Sequence, residues 1–538
     1  MRRSILFLLV TGCIFFITLI VYIITFVTHD KLPKAVGKSK VKLSPDEYGF
    51  GPDRQLLVFE VDHEKIEMKD KIFSRVTVSN FKDGVLDKND TYTAGIEIKG
   101  SGPSERRKLN YAFEIWEPLD ESDDPAPCIS IESCQDSKAE LFDFGKDYED
   151  YVLRGGYNEP TFVRDTLASK LKGGVLQTTL VEVLFKRSDG SYSYEGVYIL
   201  YPAIQRRVLE KRLDWDNKGK AKCDDEPGIV DNSAMIGEFT IESRGRKAPC
   251  SEFDLDVKMR YPKCDMDKCF YDRLQHFFSV LTLKNETEVA LNMDSFVDTY
   301  FTEMLMREDD FPYTSQYFYI SPDDNVLNSG PRWDYDKEFW RVAPTYGWDL
   351  FNLNYYDRGP MELWVHLGKH QPFIDKVNSV RESVVDNNIN VANDIIFQRR
   401  NELGQGYFDR NIERWNIFGK KPYSFSNHIL YAVYGKKAGA KSTMEKELNR
   451  IEDYFHKRSA WMKSNPLKGY GVRKFNFTRT IIGYLSPLIL TFVAFFIAAE
   501  YIIYKRLCRS NKQMEKGNSN ELEMLVAKHN DPIDHIMF

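Results

Sequence analysis

The 538 residues carry 74 Lys and Arg against 80 Asp and Glu, a net charge of -6, and 42% of the side chains are hydrophobic. Both signs are interspersed with no basic excess, which excludes a protein held on nucleic acid by phosphate contacts, and 36 Phe with 30 Tyr exclude a disordered chain. At roughly 100 to 200 residues per domain, the length allows one large domain with additions and excludes a mini-protein that depends on disulfides.

The chain opens on an uncharged run, Ser4 to Thr28, long enough to cross a hydrocarbon core as a helix. Its length and the lack of a small-residue cleavage site predict an uncleaved anchor over 1–28. Residues 29–50 are Lys-rich without apolar periodicity and read as a basic stalk. From Gln55 onward, short β-branched and aromatic runs predict strands at Leu56–Val61, Arg75–Val78, Ala94–Lys99, Tyr111–Trp116 and Tyr151–Leu153. Thr161 to Leu171 has helical spacing. Leu180–Phe185 and Gly196–Tyr201 flank an Asp189-Gly190 turn and predict a hairpin. After about Cys269 the periodicity becomes mainly helical. Asp294 is placed to cap a helix over Ser295–Met306, and Met444, Leu448, Ile451, Phe455 and Met462 form the stripe of another. The order is an α+β outline with two lobes. A second uncharged run, Ile481 to Ala499, predicts a transmembrane helix over 481–504, leaving a tail at 505–538.

Arg2 and Arg3 precede the first span, and Lys505, Arg506 and Arg509 follow the second. Positive charge stays inside, so both termini are expected in the cytosol and the central region in the lumen or outside the cell. The protein is accordingly expected in a secretory-pathway membrane: Golgi, endoplasmic reticulum or plasma membrane. Cys128, Cys134, Cys223, Cys250, Cys264 and Cys269 all fall between the spans, which suits disulfides, with connectivity open. Sequons at Asn89, Asn285 and Asn476 lie on the same side and are candidate sites for N-glycans.

Two constellations can carry chemistry. Ile96-Glu-Ile-Lys-Gly-Ser-Gly-Pro-Ser104 is a strand entering a glycine loop, with Lys108 on the strand beyond; such a loop can cover nucleotide phosphates, and it is equally a plain hairpin turn. In Pro331-Arg-Trp-Asp334-Tyr-Asp336 the two acids are two residues apart, so in an extended segment they share a face and can hold a hard cation. Asp309, after an amphipathic helix, adds a third carboxylate. Calcium binding or solvated loop acids would give the same pattern. The P-loop, zincin, serine-hydrolase and ordinary protein-kinase motifs are absent.

With Lys108-Leu-Asn-Tyr111, Tyr151-Val-Leu-Arg-Gly-Gly156, Phe162-Val-Arg-Asp165, Glu195-Gly-Val-Tyr198, Met259-Arg-Tyr-Pro262 and Asp409-Arg-Asn-Ile-Glu-Arg-Trp415 in order, these residues resemble the CotH-like (spore coat protein H) atypical protein kinase family. The resemblance spans about 50–465 and implies a divergent two-lobed protein-kinase-like fold, with an N-lobe at about 50–205 and a C-lobe at about 235–465. It further implies transfer of the γ-phosphate of ATP, with Mg²⁺ or Mn²⁺, to luminal or extracellular proteins. By position, Gly100, Gly102 and Lys108 would hold the ATP phosphates, Asp309 would be the catalytic carboxylate, and Asp334 with Asp336 would bind the metal. The chain departs from the family at Arg307, where Asn is expected, and at Tyr201-Pro202, where an acid is expected. The alternative reading is a catalytically inactive CotH-like surface protein acting in adhesion or receptor binding.

Overall fold

The computed structural model describes residues 54–119 except 69 and 100–107, and 128–204 except 143, 158 and 175. It also describes 291–335 except 308–310, 312–315 and 321–325, then 364, 367–403, 406–415, 417 and 443–469, and the backbone of two strands within 235–261. The two expected membrane spans, the stalk, the tail, the Asn285 and Asn476 sequons and four of the six central cysteines lie outside the described residues. Among the described residues no helix is long and apolar enough to cross a membrane.

Every strand expected in the first half is present. The first sheet comprises β1 (Arg54–Glu60), β2 (Ile72–Lys82), β3 (Val85–Lys99), β4 (Asn110–Pro118), β5 (Cys134–Asp136), β6 (Asp150–Arg154), β7 (Thr179–Lys186) and β8 (Tyr192–Pro202). Their order is β3-β2-β1-β7-β8-β6-β4-β5, and an added β3–β4 pairing closes the sheet into a barrel with β5 attached beside β4. All neighbours are antiparallel except β1 and β7, which run parallel with Leu57 opposite Val183. Closure removes the open edges that a sheet of this size would otherwise present to solvent. The expected hairpin is β7–β8, and Asp189 closes its turn by accepting from the Ser191 amide at 2.9 Å.

A second sheet, in the order β10-β9-β11-β12, is antiparallel throughout and combines β9 (Met235–Phe239), β10 (Val257–Tyr261), β11 (Gln316–Ile320) and β12 (Leu327–Arg332). Among the described residues five α-helices accompany the sheets: α1 (Val163–Lys170), α2 (Met293–Met306), α3 (Gln371–Asn401), α4 (Tyr407–Trp415) and α5 (Met444–Ser464). The stripe read from the sequence onto α5 is the buried one, with Met444, Leu448, Ile451, Phe455 and Met462 all at 4% exposure or less. The cap of α2 needs correction: Asn292, not Asp294, accepts from the Ser295 amide at 3.2 Å, and Asp294 in the first turn pairs with Lys376. Asn292 wins because the helix starts at Met293, two residues earlier than the apolar pattern suggests. One continuous apolar core joins β-barrel residues such as Leu57, Phe59 and Tyr151 to Phe296 and Phe301 of α2 and Ile451 of α5. Cys128 and Cys134 form a disulfide beside β5.

Candidate active site

Asp334 follows β12, and its backbone is left-handed (φ 70°), so the extended segment expected around it is replaced by a turn. Its carboxylate meets a cation: Oδ1 lies 2.5 Å from Nη2 of Arg154, the last residue of β6. The Nε of Arg154 is 3.7 Å from Asp165 of α1, and Asp165 in turn accepts from the Tyr335 amide at 3.1 Å. Two carboxylates from separate elements therefore bracket one guanidinium. Trp333 forms the apolar side of this group, packed edge-on against Tyr201 at 5.0 Å. The Lys99 ammonium stands 5.7 Å over the Trp333 ring. Lys99 is the residue from which the glycine loop departs, so the two motifs singled out in the sequence converge at Trp333 and Asp334.

Beneath this group the Tyr335 hydroxyl donates to Glu303 of α2. Burial pushes the Glu303 carboxyl up to about 8, against the opposing pull of Tyr335, Arg332 and Arg164. Arg307, with φ 51°, terminates α2, and its amide donates to the Glu303 carbonyl at 2.7 Å.

A second polar group lies inside the barrel around Glu195. The β7–β8 register shifts between Val183 and Leu184, so Gly196 faces Val183 and Tyr194 faces Leu184, leaving Glu195 as the extra residue of a β-bulge. Glu195 accepts from the Tyr111 hydroxyl at 3.2 Å and the Tyr198 hydroxyl at 3.4 Å, with Arg414 at 3.6 Å and His63 at 3.8 Å. Burial raises its carboxyl to about 8, with Arg414 and Lys108 pulling the other way. Burial likewise lowers His63 to about 4. Lys108 is fully buried and donates to the Val197 carbonyl at 2.5 Å and to Oδ1 of Asn411 at 2.9 Å. Its ammonium sits 4.7 Å over the Tyr198 ring, and burial holds its pKa well below the ordinary lysine value although Glu195 opposes this.

A family profile described as CotH kinase protein matches residues 96–462, more than half of the chain. The chain belongs to the CotH kinase family. A comparison with curated proteins found no match. The CotH match takes in Lys108, Arg154, Asp165, Glu195 and Asp334 and begins after Arg54 and His63.

Of the six CotH site residues expected from sequence, Lys108 and Asp334 are described and Gly100, Gly102, Asp309 and Asp336 lie outside the described residues. The two that are described are not partners of each other: Asp334 is held by Arg154, and Lys108 by Asn411 and Val197. Asp334, 31% exposed, offers the oxygens that a hard cation takes, but its Oδ1 is engaged by Arg154 and would have to give up that contact first. Among the described residues no group of three or more His, Cys, Asp or Glu side chains is placed to hold a metal ion. The sequence reading quoted Arg154 and Glu195 within family motifs without giving either a site role, and it missed His63. Glu195 had a signal, since a lone acid stands in the otherwise apolar and aromatic run Tyr192–Tyr201; His63 had none.

Proposed function

We propose that this CotH-family chain is an atypical kinase that transfers the γ-phosphate of ATP to protein side chains, with Asp334 and Asp336 holding Mg²⁺ or Mn²⁺ and Asp309 as the catalytic carboxylate. The observation that carries the reading is the convergence of Lys99, at the mouth of the glycine loop, with Asp334, Arg154 and Asp165 around Trp333. Phosphoryl transfer requires little covalent work from the protein and depends on positioning and on stabilising charge at the transferred group. Carboxylates bracketing a cation beside a glycine loop supply the elements of such a site. Gly100 and Gly102 bring backbone amides to the phosphates in this reading. Lys99 and Arg154 supply positive charge at Asp334, while Lys108 reaches phosphate only by giving up Asn411 and the Val197 carbonyl. Asp334 and Asp336 would hold the divalent ion, which would supply neutralising charge to the phosphates, and Arg154, now 2.5 Å from Asp334, would be placed to meet a phosphate oxygen.

The domain is proposed to work as a two-lobed kinase in the lumen or outside the cell, between membrane spans expected from sequence within 1–28 and 481–504. To test the activity, the purified full-length chain is incubated with γ-labelled or α-labelled ATP and Mn²⁺ or Mg²⁺, beside Asp334→Ala. Label from the γ position that disappears in the variant is the expected result. Label from the α position would replace phosphate transfer with AMP transfer. No incorporation from either, on the chain itself or on acidic and basic acceptor proteins, would overturn the enzyme in favour of a non-catalytic surface protein, with Arg307 at the end of α2 as the departure to examine.

A further inference from the structure

A cavity of about 290 Å³ lies between the β1, β2 and β7 strands and helices α1, α3 and α4. It is separate from the Asp334 group: Asp165 of α1 turns to Arg154, whereas Thr166 and Lys170, one turn apart on the same helix, line the cavity. Arg54, the first residue of β1, also lines it and is only 9% exposed. Its Nε and Nη2 are buried without a hydrogen-bond partner, and its guanidinium is 5.3 Å from the centre of the Tyr407 ring. An arginine does not shed its proton in a protein, so a buried guanidinium with unsatisfied donors is costly unless an anion meets it.

The other charges around the cavity cancel in pairs. Glu182 is held by Arg410 at 2.6 Å, Glu402 by Arg399 at 2.8 Å, and Lys82 by Asp87 at 3.0 Å. Arg54 and Lys170 remain, and the described residues offer neither of them an ion-pair partner. Two positive charges, one on a planar fork and one on a flexible stem, match the dianion of a phosphomonoester. The volume sets the size of the rest of the ligand. It lies just below the range of about 300–1,000 Å³ typical of small-molecule sites, which suits a body of monosaccharide size. Asn80, Thr178 and Thr179 supply amide and hydroxyl groups to the same wall.

We infer that this cavity binds a small hydroxylated phosphate ester, its phosphate held by Arg54 and Lys170, at a site distinct from the Asp334 group. The inference does not depend on kinase activity. Calorimetric titration of the purified full-length chain with glucose 6-phosphate, inorganic phosphate and glucose tests it. Glucose 6-phosphate should bind saturably and at least tenfold tighter than inorganic phosphate, glucose should not bind, and Arg54→Gln should weaken the ester at least tenfold. Asp334→Asn should leave that affinity unchanged. Equal affinity for inorganic phosphate would overturn the ester in favour of the bare anion. Absence of saturable binding, binding unaffected by Arg54→Gln, or binding lost in Asp334→Asn would each overturn the site. If circular dichroism shows that Arg54→Gln does not fold, the exposed Lys170→Gln decides instead: at least threefold weaker binding is expected, and an unchanged affinity removes the proposal.

Discussion

Glu303 holds its carboxyl where water does not reach, and its raised pKa ties stability to pH. In the unfolded chain this group ionises near its ordinary value of 4.5, whereas the folded protein keeps the proton up to about 8. Between those values the folded state binds more protons than the unfolded state, so its contribution to stability is complete below about pH 4.5 and declines as pH rises through 8. The neutral isostere Glu303→Gln removes that dependence. Urea unfolding at pH 5, 6.5 and 8 should show the wild type losing about 3 kcal/mol relative to the variant across the range; a difference that stays constant with pH would refute the assignment. His63 runs in the opposite sense, because its pKa is lowered to about 4 and its stabilisation is gained as pH rises toward 6.5. Taking the difference between wild type and variant cancels the His63 contribution.

Helix α4 docks on β8 through a bulge that only glycine permits. Gly196 has φ 118°, and a Cβ there would stand 2.6 Å from Oδ1 of Asn411 and 2.8 Å from Nε1 of Trp415. Trp415 donates to the Glu195 carbonyl at 2.5 Å and Arg414 to the Tyr194 carbonyl at 3.1 Å, so the bulge supplies the acceptors that the helix uses. Gly196→Ala should cost about 2–4 kcal/mol through strain and overlap. Hydrogen exchange should quicken over Tyr407–Trp415 while β2 and β3 keep their protection; uniform quickening would point to general destabilisation rather than loss of this contact. At the scale of elements, the strands were legible in the sequence because short β-branched and aromatic runs stand between turn residues, and several of them are buried on both faces. The hairpin was legible from its Asp-Gly turn. The 31-residue α3 was not singled out, because Asn, Ser and β-branched residues dilute the stripe made by Phe373, Val377, Val385 and Ala392. The Glu195 bulge was not read, although Gly196 inside a strand-like run is the mark such a bulge leaves.

For the whole molecule, barrel closure was beyond local reading because the β1–β7 and β3–β4 pairings are decided by packing between distant segments. The family motifs were legible as an ordered series, yet their convergence on Trp333 depends on β12 bringing residues 333–335 beside β6 and α1. The proposed topology has a direct test. Asn89 is exposed on β3 and accepts from Ser79 at 2.8 Å, so in membrane vesicles from secretory cells Asn89→Gln should remove one glycan-sized step on a gel. Protease added outside sealed vesicles should trim the two tails and spare the central region; digestion of the central region would reverse the orientation. The reach of the barrel's internal contacts also governs how the chain can be made. Lys108 finds its Asn411 acceptor 303 residues later. At roughly 5–20 residues per second on the ribosome, the nascent barrel waits on the order of 15–60 s with a buried ammonium lacking its side-chain acceptor. A fragment released near residue 205 would never acquire α4, so the barrel is completed only once residues 407–415 are made, and translation that stalls before them leaves a substrate for quality control rather than a working fragment.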